Sequence, residues 1–151
     1  MIRPHIALPI LLALSTVLPV QGRAATGADA VSAAGGWIRE TPPGRTVAAG
    51  YVTLTNAGDT PVAVVGAASS AARVELHSMR MEEGMMRMRP LPRLEIPAGS
   101  SAALAPRGDH MMLFDVDATT AGAIIELELL FEDGSTLPLA LPVRRDAPAG
   151  D

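Results

Sequence analysis

An antiparallel β-sandwich or Greek-key barrel is the fold that the sequence predicts for residues 37–143, and three observations carry it. Seven to nine short stretches alternate apolar with polar residues or run together as β-branched ones. Glycine, proline, asparagine and aspartate punctuate them at close intervals. No stretch sustains a helical hydrophobic period, and no repeat or linker divides the chain, so a single all-β domain is expected.

The elements follow in order. Residues 25–36 are small and polar and are expected to be a flexible lead-in, with order beginning at Trp37. Trp37-Ile38-Arg39 is a short apolar entry closed by the Thr41-Pro42-Pro43-Gly44 turn. Ala48 to Asn56 alternates, with Val52 and Leu54 on one face and Tyr51, Thr53 and Thr55 on the other. Pro61 to Ala67 is a further strand, and Ala68 to Ala72 a small-residue connection with room for one helical turn. Arg73 to Arg89 reads as a hairpin, its arms flanking Glu82-Glu83-Gly84, where glycine suits a positive φ. Short strands are expected at Leu94–Ile96 and Ala102–Leu104, then a turn at Pro106-Arg107-Gly108-Asp109.

His110 to Val116 alternates again, with His110, Met112 and Phe114 on one face and Met111 and Leu113 on the other. Ile124 to Phe131 is the clearest strand, with Ile125, Leu127, Leu129 and Phe131 inward, and Asp133-Gly134 turns it into the arm carrying Leu137, Leu139, Leu141 and Val143. Pro138 and Pro142 lack backbone donors, which places that arm at an edge or a bulge. Residues 144–151 are expected to be a disordered tail.

Residues 1–24 read as a secretory signal peptide: Arg3, an apolar run from Ile6 to Val20, then small residues around Ala24. No cysteine follows, so no disulfide, thiolate ligand or lipid attachment point is expected. Without Arg3 and Arg23, ten arginines and no lysine face sixteen acidic residues, a net charge near −6. That acidity, with Trp37, Tyr51, Phe114 and Phe131 as the aromatics, argues against nucleic acid as a partner.

Beyond the leader, every histidine and methionine lies between His77 and Met112. Thioether beside imidazole is a donor set suited to Cu(I), a soft ion that needs no charged ligand. His110 and Met112, two apart on a strand, leave the same face and can share one ion. His77 and Met88, on opposite arms of the hairpin, are the natural suppliers of a second pair. Met111 faces the other way and is expected in the core, while Met79, Met81, Met85 and Met86 are either packing residues or accessory copper contacts.

His77, ten residues, Met88, twenty-one residues and His110-x-Met112 reproduce a four-point signature, H-x10-M-x21-H-x-M. With Trp37-Ile38-Arg39, Ala48-Ala49-Gly50-Tyr51, Val74-Glu75-Leu76-His77, Met88-Arg89-Pro90 and Ile96-Pro97-Ala98-Gly99, the chain resembles the periplasmic copper chaperone family PCu(A)C from Trp37 to Val143. The resemblance implies a cupredoxin-like β-sandwich that binds one Cu(I) through His77, Met88, His110 and Met112. It also implies delivery of that ion to extracytoplasmic copper centres, notably the binuclear site of cytochrome c oxidase. Some members add a His- and Met-rich C-terminal extension for Cu(II), and residues 144–151 contain neither residue type.

A periplasmic, monomeric metallochaperone rather than an enzyme is therefore expected. The partners would be copper and a copper-acceptor protein, with no membrane span once the signal is removed. A blue-copper electron carrier needs a cysteine thiolate that the chain lacks. Zinc favours thiolate, imidazole and carboxylate over thioether. No nucleophile with an adjacent base is visible, and Asp109 beside His110 is expected as a turn residue or as the group that orients the imidazole. The alternatives are an exported copper-scavenging domain without delivery to the oxidase, and an exported interaction domain whose methionines only fill a core.

Overall fold

The computed structural model describes residues 26–116 and 119–148; the expected signal peptide, and the end of the expected tail, lie outside the described residues. Ten strands are present among them: β1 (Val31–Arg39), β2 (Val47–Asn56), β3 (Val62–Ala68), β4 (Arg73–Glu82), β5 (Met85–Pro90), β6 (Leu94–Ile96), β7 (Ser101–Leu104), β8 (His110–Phe114), β9 (Ile124–Phe131) and β10 (Thr136–Arg144). The order is β5-β4-β8-β2-β1-β10-β9-β3-β6, with β7 also paired to β2. The expected all-β architecture is observed, with one difference from a purely antiparallel sandwich. β1 and β10 run parallel where they meet, at Ile38↔Val143 and Arg39↔Arg144.

The core follows from the two-residue side-chain period of a strand. Ile125, Leu127, Leu129 and Phe131 of β9 are buried as expected, and they join Leu54, Met111 and Leu113 in one cluster. Each such side chain contributes about 1.5–3 kcal/mol by leaving water. The β9–β10 register runs without a shift from Thr136↔Leu130 to Pro142↔Ile124. β10 gains a second neighbour only at Val143 and Arg144, so Pro138 and Pro142 stand where the strand is paired on one side alone. The edge behaviour expected of those prolines is thus local.

Order starts earlier than Trp37. Val31 to Ala34 pair with Thr53 to Asn56 of β2, after a 3₁₀ turn at Ala28–Ala30. The expected flexible lead-in is instead this half of β1, held by backbone ladder bonds: its Ser-Ala-Ala-Gly-Gly run is almost all exposed and shows no hydrophobic alternation. A bulge between Ala34 and Trp37, with Gly35 at φ 64°, redirects the strand. At Gly36 a Cβ would lie 2.5 Å from Leu141 Cδ2, so a side chain there would have to displace that leucine. At the other end the chain stays ordered past Val143, with Arg145 Nε donating to Glu40 Oε2 at 2.7 Å. The 69–72 connection contains bends and no helical turn.

Candidate metal site

The central strand of the site is β4, flanked by β8 on one side and β5 on the other. His77 lies mid-strand, because β4 runs from Arg73 to Glu82. Across the antiparallel ladder His77 is the direct partner of His110, and Leu76 of Met111. Leu76 and Met111 are buried in the core, so the alternate residues Glu75, His77, His110 and Met112 lie on the opposite face. Met112 is the partner of Glu75, one pleat from His77. On the other flank His77 pairs with Pro90 and Met79 with Met88. Met112 and Met88 are therefore both diagonal neighbours of His77, a separation of about 7–8 Å that long side chains can span.

Local chemistry fixes the tautomers of the two imidazoles. His110 Nδ1 lies 2.9 Å from the Gly108 carbonyl oxygen, which can only accept, so Nδ1 carries the proton and Nε2 keeps its lone pair. His77 Nε2 lies 2.9 Å from Glu75 Oε2, so here Nε2–H donates and Nδ1 keeps the lone pair. Nδ1 of His77 is buried and has no hydrogen-bond partner. The ring centroids are 6.2 Å apart. Two imidazole lone pairs are thus presented on neighbouring strands, each ring oriented by an oxygen behind it, the arrangement that tunes a metal-binding histidine.

Glu75 in turn is held by Arg73, and its carboxyl is pushed below the usual range, chiefly by the hydrogen bond from His77 and further by the Arg73 charge. The Gly108 carbonyl is set by the Ala105–Gly108 turn, closed by a 3.0 Å hydrogen bond from Gly108 N–H to Ala105 O, in which Arg107 takes φ 69°. A non-glycine residue in that region costs about 1–2 kcal/mol. Strain is therefore built in three residues before a candidate ligand.

Exposure is graded across the site. His110 is buried, the His77 side chain is 12% exposed, Met112 is intermediate and Met88 is 45% exposed. One end of the donor set is enclosed while the other is open to solvent. The structure thus places His77, His110 and Met112 on one face of two adjacent strands and adds Met88 from the exposed hairpin arm. Met111 is fully buried, as expected. Asp109 does not orient His110: its carboxylate lies 3.2 Å from the Arg80 guanidinium, and the backbone of Gly108 does that work. Glu75 was not singled out in the sequence, although Glu-x-His on a strand puts both groups on one face.

The donors fit a soft monovalent ion. Neutral imidazole and thioether hold Cu(I) without thiolate, and among the described residues no group of three or more His, Cys, Asp or Glu is assembled for a harder metal.

Residues 31–143 match the family model described as "Putative lipoprotein LpqE-like". A curated protein of Leifsonia xyli subsp. xyli, "Putative lipoprotein Lxx21020", is 41% identical over 120 residues, 78% of this chain and 71% of that protein. Among solved structures, apo-DR1885 from Deinococcus radiodurans has a TM-score of 0.61 at 30% identity, covering 94% of this chain and 97% of that one. The CuI-DR1885 form has a TM-score of 0.60 at 34% identity, over 74% and 76%. The copper-bound PCuAC domain from PmoF2 shares the fold, with a TM-score of 0.63 at 24% identity over 79% and 94%. The fold that the PCu(A)C resemblance implies is thus the fold of the PmoF2 PCuAC domain.

Proposed function

The chain belongs to the LpqE-like family, and from that premise we propose that it is an exported Cu(I) metallochaperone whose ligands are His77 Nδ1, His110 Nε2 and the thioethers of Met88 and Met112. The observation that carries this reading is the facing histidine pair, each ring tied by one nitrogen to a protein oxygen and free at the other, with a methionine diagonal on either side. Its relatives DR1885 and the PmoF2 domain are described in copper-bound forms, which supports the same cargo here.

Copper is cargo rather than a resident cofactor, so the site must release it. Ligand exchange with a docked acceptor would begin at Met88, the exposed thioether, and proceed inward to His110, the most enclosed ligand. Uncharged sulfur and nitrogen donors resist the disulfide chemistry that would disable a thiolate site in an oxidising compartment. The acceptor we propose is an extracytoplasmic copper protein, in the first place the binuclear site of cytochrome c oxidase. The chain would work in the periplasm as a monomer and without catalysis.

X-ray absorption on the protein loaded with a single equivalent of Cu(I) tests the ligand set. A mixed shell of about two nitrogens and two sulfurs is expected. A shell of nitrogen and oxygen only would remove Met88 and Met112 from the site. Delivery is tested separately, by whether a Cu(I)-loaded sample metallates an isolated binuclear-copper domain.

A further inference from the structure

Four of the methionines lie where neither core packing nor the histidine site accounts for all of them. β8 begins at His110, opposite His77, so from Ser78 to Glu82 strand β4 is paired only with β5 and the two form an overhanging ribbon. On that ribbon Met79 is the direct partner of Met88 and Met81 of Met86. By the alternation of the strand all four share the face that carries His77. Met81, Met86 and Met88 are 65%, 47% and 45% exposed, so they are not filling a core.

The opposite face of the ribbon is built quite differently. Arg80 pairs with Asp109, and Arg87 and Arg89 with Glu82. The ribbon therefore has one mainly ionic face, which also carries Met85, and one thioether face that leads to the histidines. Direct cross-strand partners stand about 4.5–5.5 Å apart at Cβ, and successive residues on one face about 7 Å apart. Flexible thioethers in that grid can converge on a single ion. Such a site takes only a soft cation, because thioethers carry no charge to offset the hydration of Zn²⁺ or Cu²⁺.

We propose that Met79, Met81 and Met86 form a second, all-thioether Cu(I) site at the outer end of the β4–β5 ribbon, with Met88 as the sulfur shared with the histidine pair. It is an entry and exit step. An ion held weakly by sulfur at the tip passes inward by exchanging thioethers one at a time until His77 and His110 take it. This rests on the reading of those histidines as a Cu(I) site. Met85, the partner of Glu82 on the ionic face, takes no part and serves as an internal control.

The test is anaerobic Cu(I) titration of the full chain, counted by native mass spectrometry and ranked by competition with a colorimetric Cu(I) chelator. The wild type is expected to bind two equivalents, one that resists the chelator and one that does not. Met81→Leu/Met86→Leu should keep only the resistant equivalent, and Met85→Leu should keep both; leucine preserves volume and removes only the sulfur. His77→Ala/His110→Ala should lose the resistant equivalent and retain the weak one. A wild type and a Met81→Leu/Met86→Leu variant that each bind one equivalent, with equal resistance, would overturn the entry site and leave the histidine site standing. Unchanged resistant binding in His77→Ala/His110→Ala would instead overturn the histidine reading.

Discussion

Glu75 Oε2 accepts a hydrogen bond from His77 Nε2 at 2.9 Å, and that single contact decides which nitrogen of the ring remains free. With Nε2 protonated, the buried and otherwise unpartnered Nδ1 is left as the donor atom on the side of the sheet where His110 lies. The carboxylate thus acts on the proposed copper site without touching the ion.

Replacing it tests that role. Glu75→Ala should weaken Cu(I) binding by about ten- to a hundredfold, the usual effect of removing the partner behind a metal-bound histidine. Glu75→Gln retains a side-chain oxygen that can accept from Nε2–H and should recover most of the affinity. Chelator competition measures both, and equal losses in the two variants would argue for bulk charge rather than ring orientation.

Copper should also stabilise the fold. A ligand that binds only the native state adds about 2.7 kcal/mol when its free concentration is a hundred times the dissociation constant. Calorimetric scans with and without Cu(I) should show a rise of several degrees that His77→Ala/His110→Ala reduces to the small contribution of any weakly held ion. An interaction domain whose methionines only pack would show no such rise.

Away from the site, Asn56 is fully buried and bridges two segments. Its Nδ2 donates to the Thr60, Ile96 and Pro97 carbonyls at 2.8, 3.1 and 3.3 Å, and its Oδ1 accepts from Gly58 N–H at 2.9 Å. Asn56→Ala removes these bonds, leaves the Gly58 amide without its side-chain acceptor, and should cost about 3 kcal/mol. Urea denaturation should show a lower midpoint with an unchanged slope.

Acid should destabilise the protein through carboxylates far from the histidines. Asp133 is held below its ordinary 3.8 first by the Ser135 hydroxyl and then by the Gly27 and Ser135 amides. Glu40 is held below 4.5 first by the Ala121 amide and then by Arg145. A group whose folded pKa is depressed stabilises the native state above its unfolded value and loses that contribution as pH falls through the folded one. The stability difference between wild type and Asp133→Asn should therefore be constant above about pH 5 and shrink below about pH 4. Urea midpoints across that range measure it, and a difference that persisted in acid would count against the Asp133 hydrogen bonds.

What the sequence disclosed depended on whether a feature is local. The β9–β10 hairpin announces itself through alternation and Asp133-Gly134. The β4–β5 hairpin does so through its glycine, observed at φ 80° after Glu83 at φ 50°, the two left-handed positions of a tight hairpin turn. The first half of β1 gives no such sign, since small exposed residues held by backbone bonds leave no pattern. The parallel contact of β1 with β10 joins residues about a hundred positions apart and has no local trace. Of the site, the four proposed ligands are legible as a spacing. The Gly108 carbonyl behind His110 is not, because a backbone oxygen has no identity in the sequence, and Asp109 next to it offered a plausible but incorrect substitute.

The prolines of β10 bear on how one copy of this domain meets another. Because the ladder to β9 passes through Pro138 and Pro142 without a slip, the missing donors belong to the free margin of the strand. A second molecule approaching there finds acceptors without the alternating donors it would need to extend the sheet. That margin therefore resists strand-by-strand aggregation even at high protein concentration.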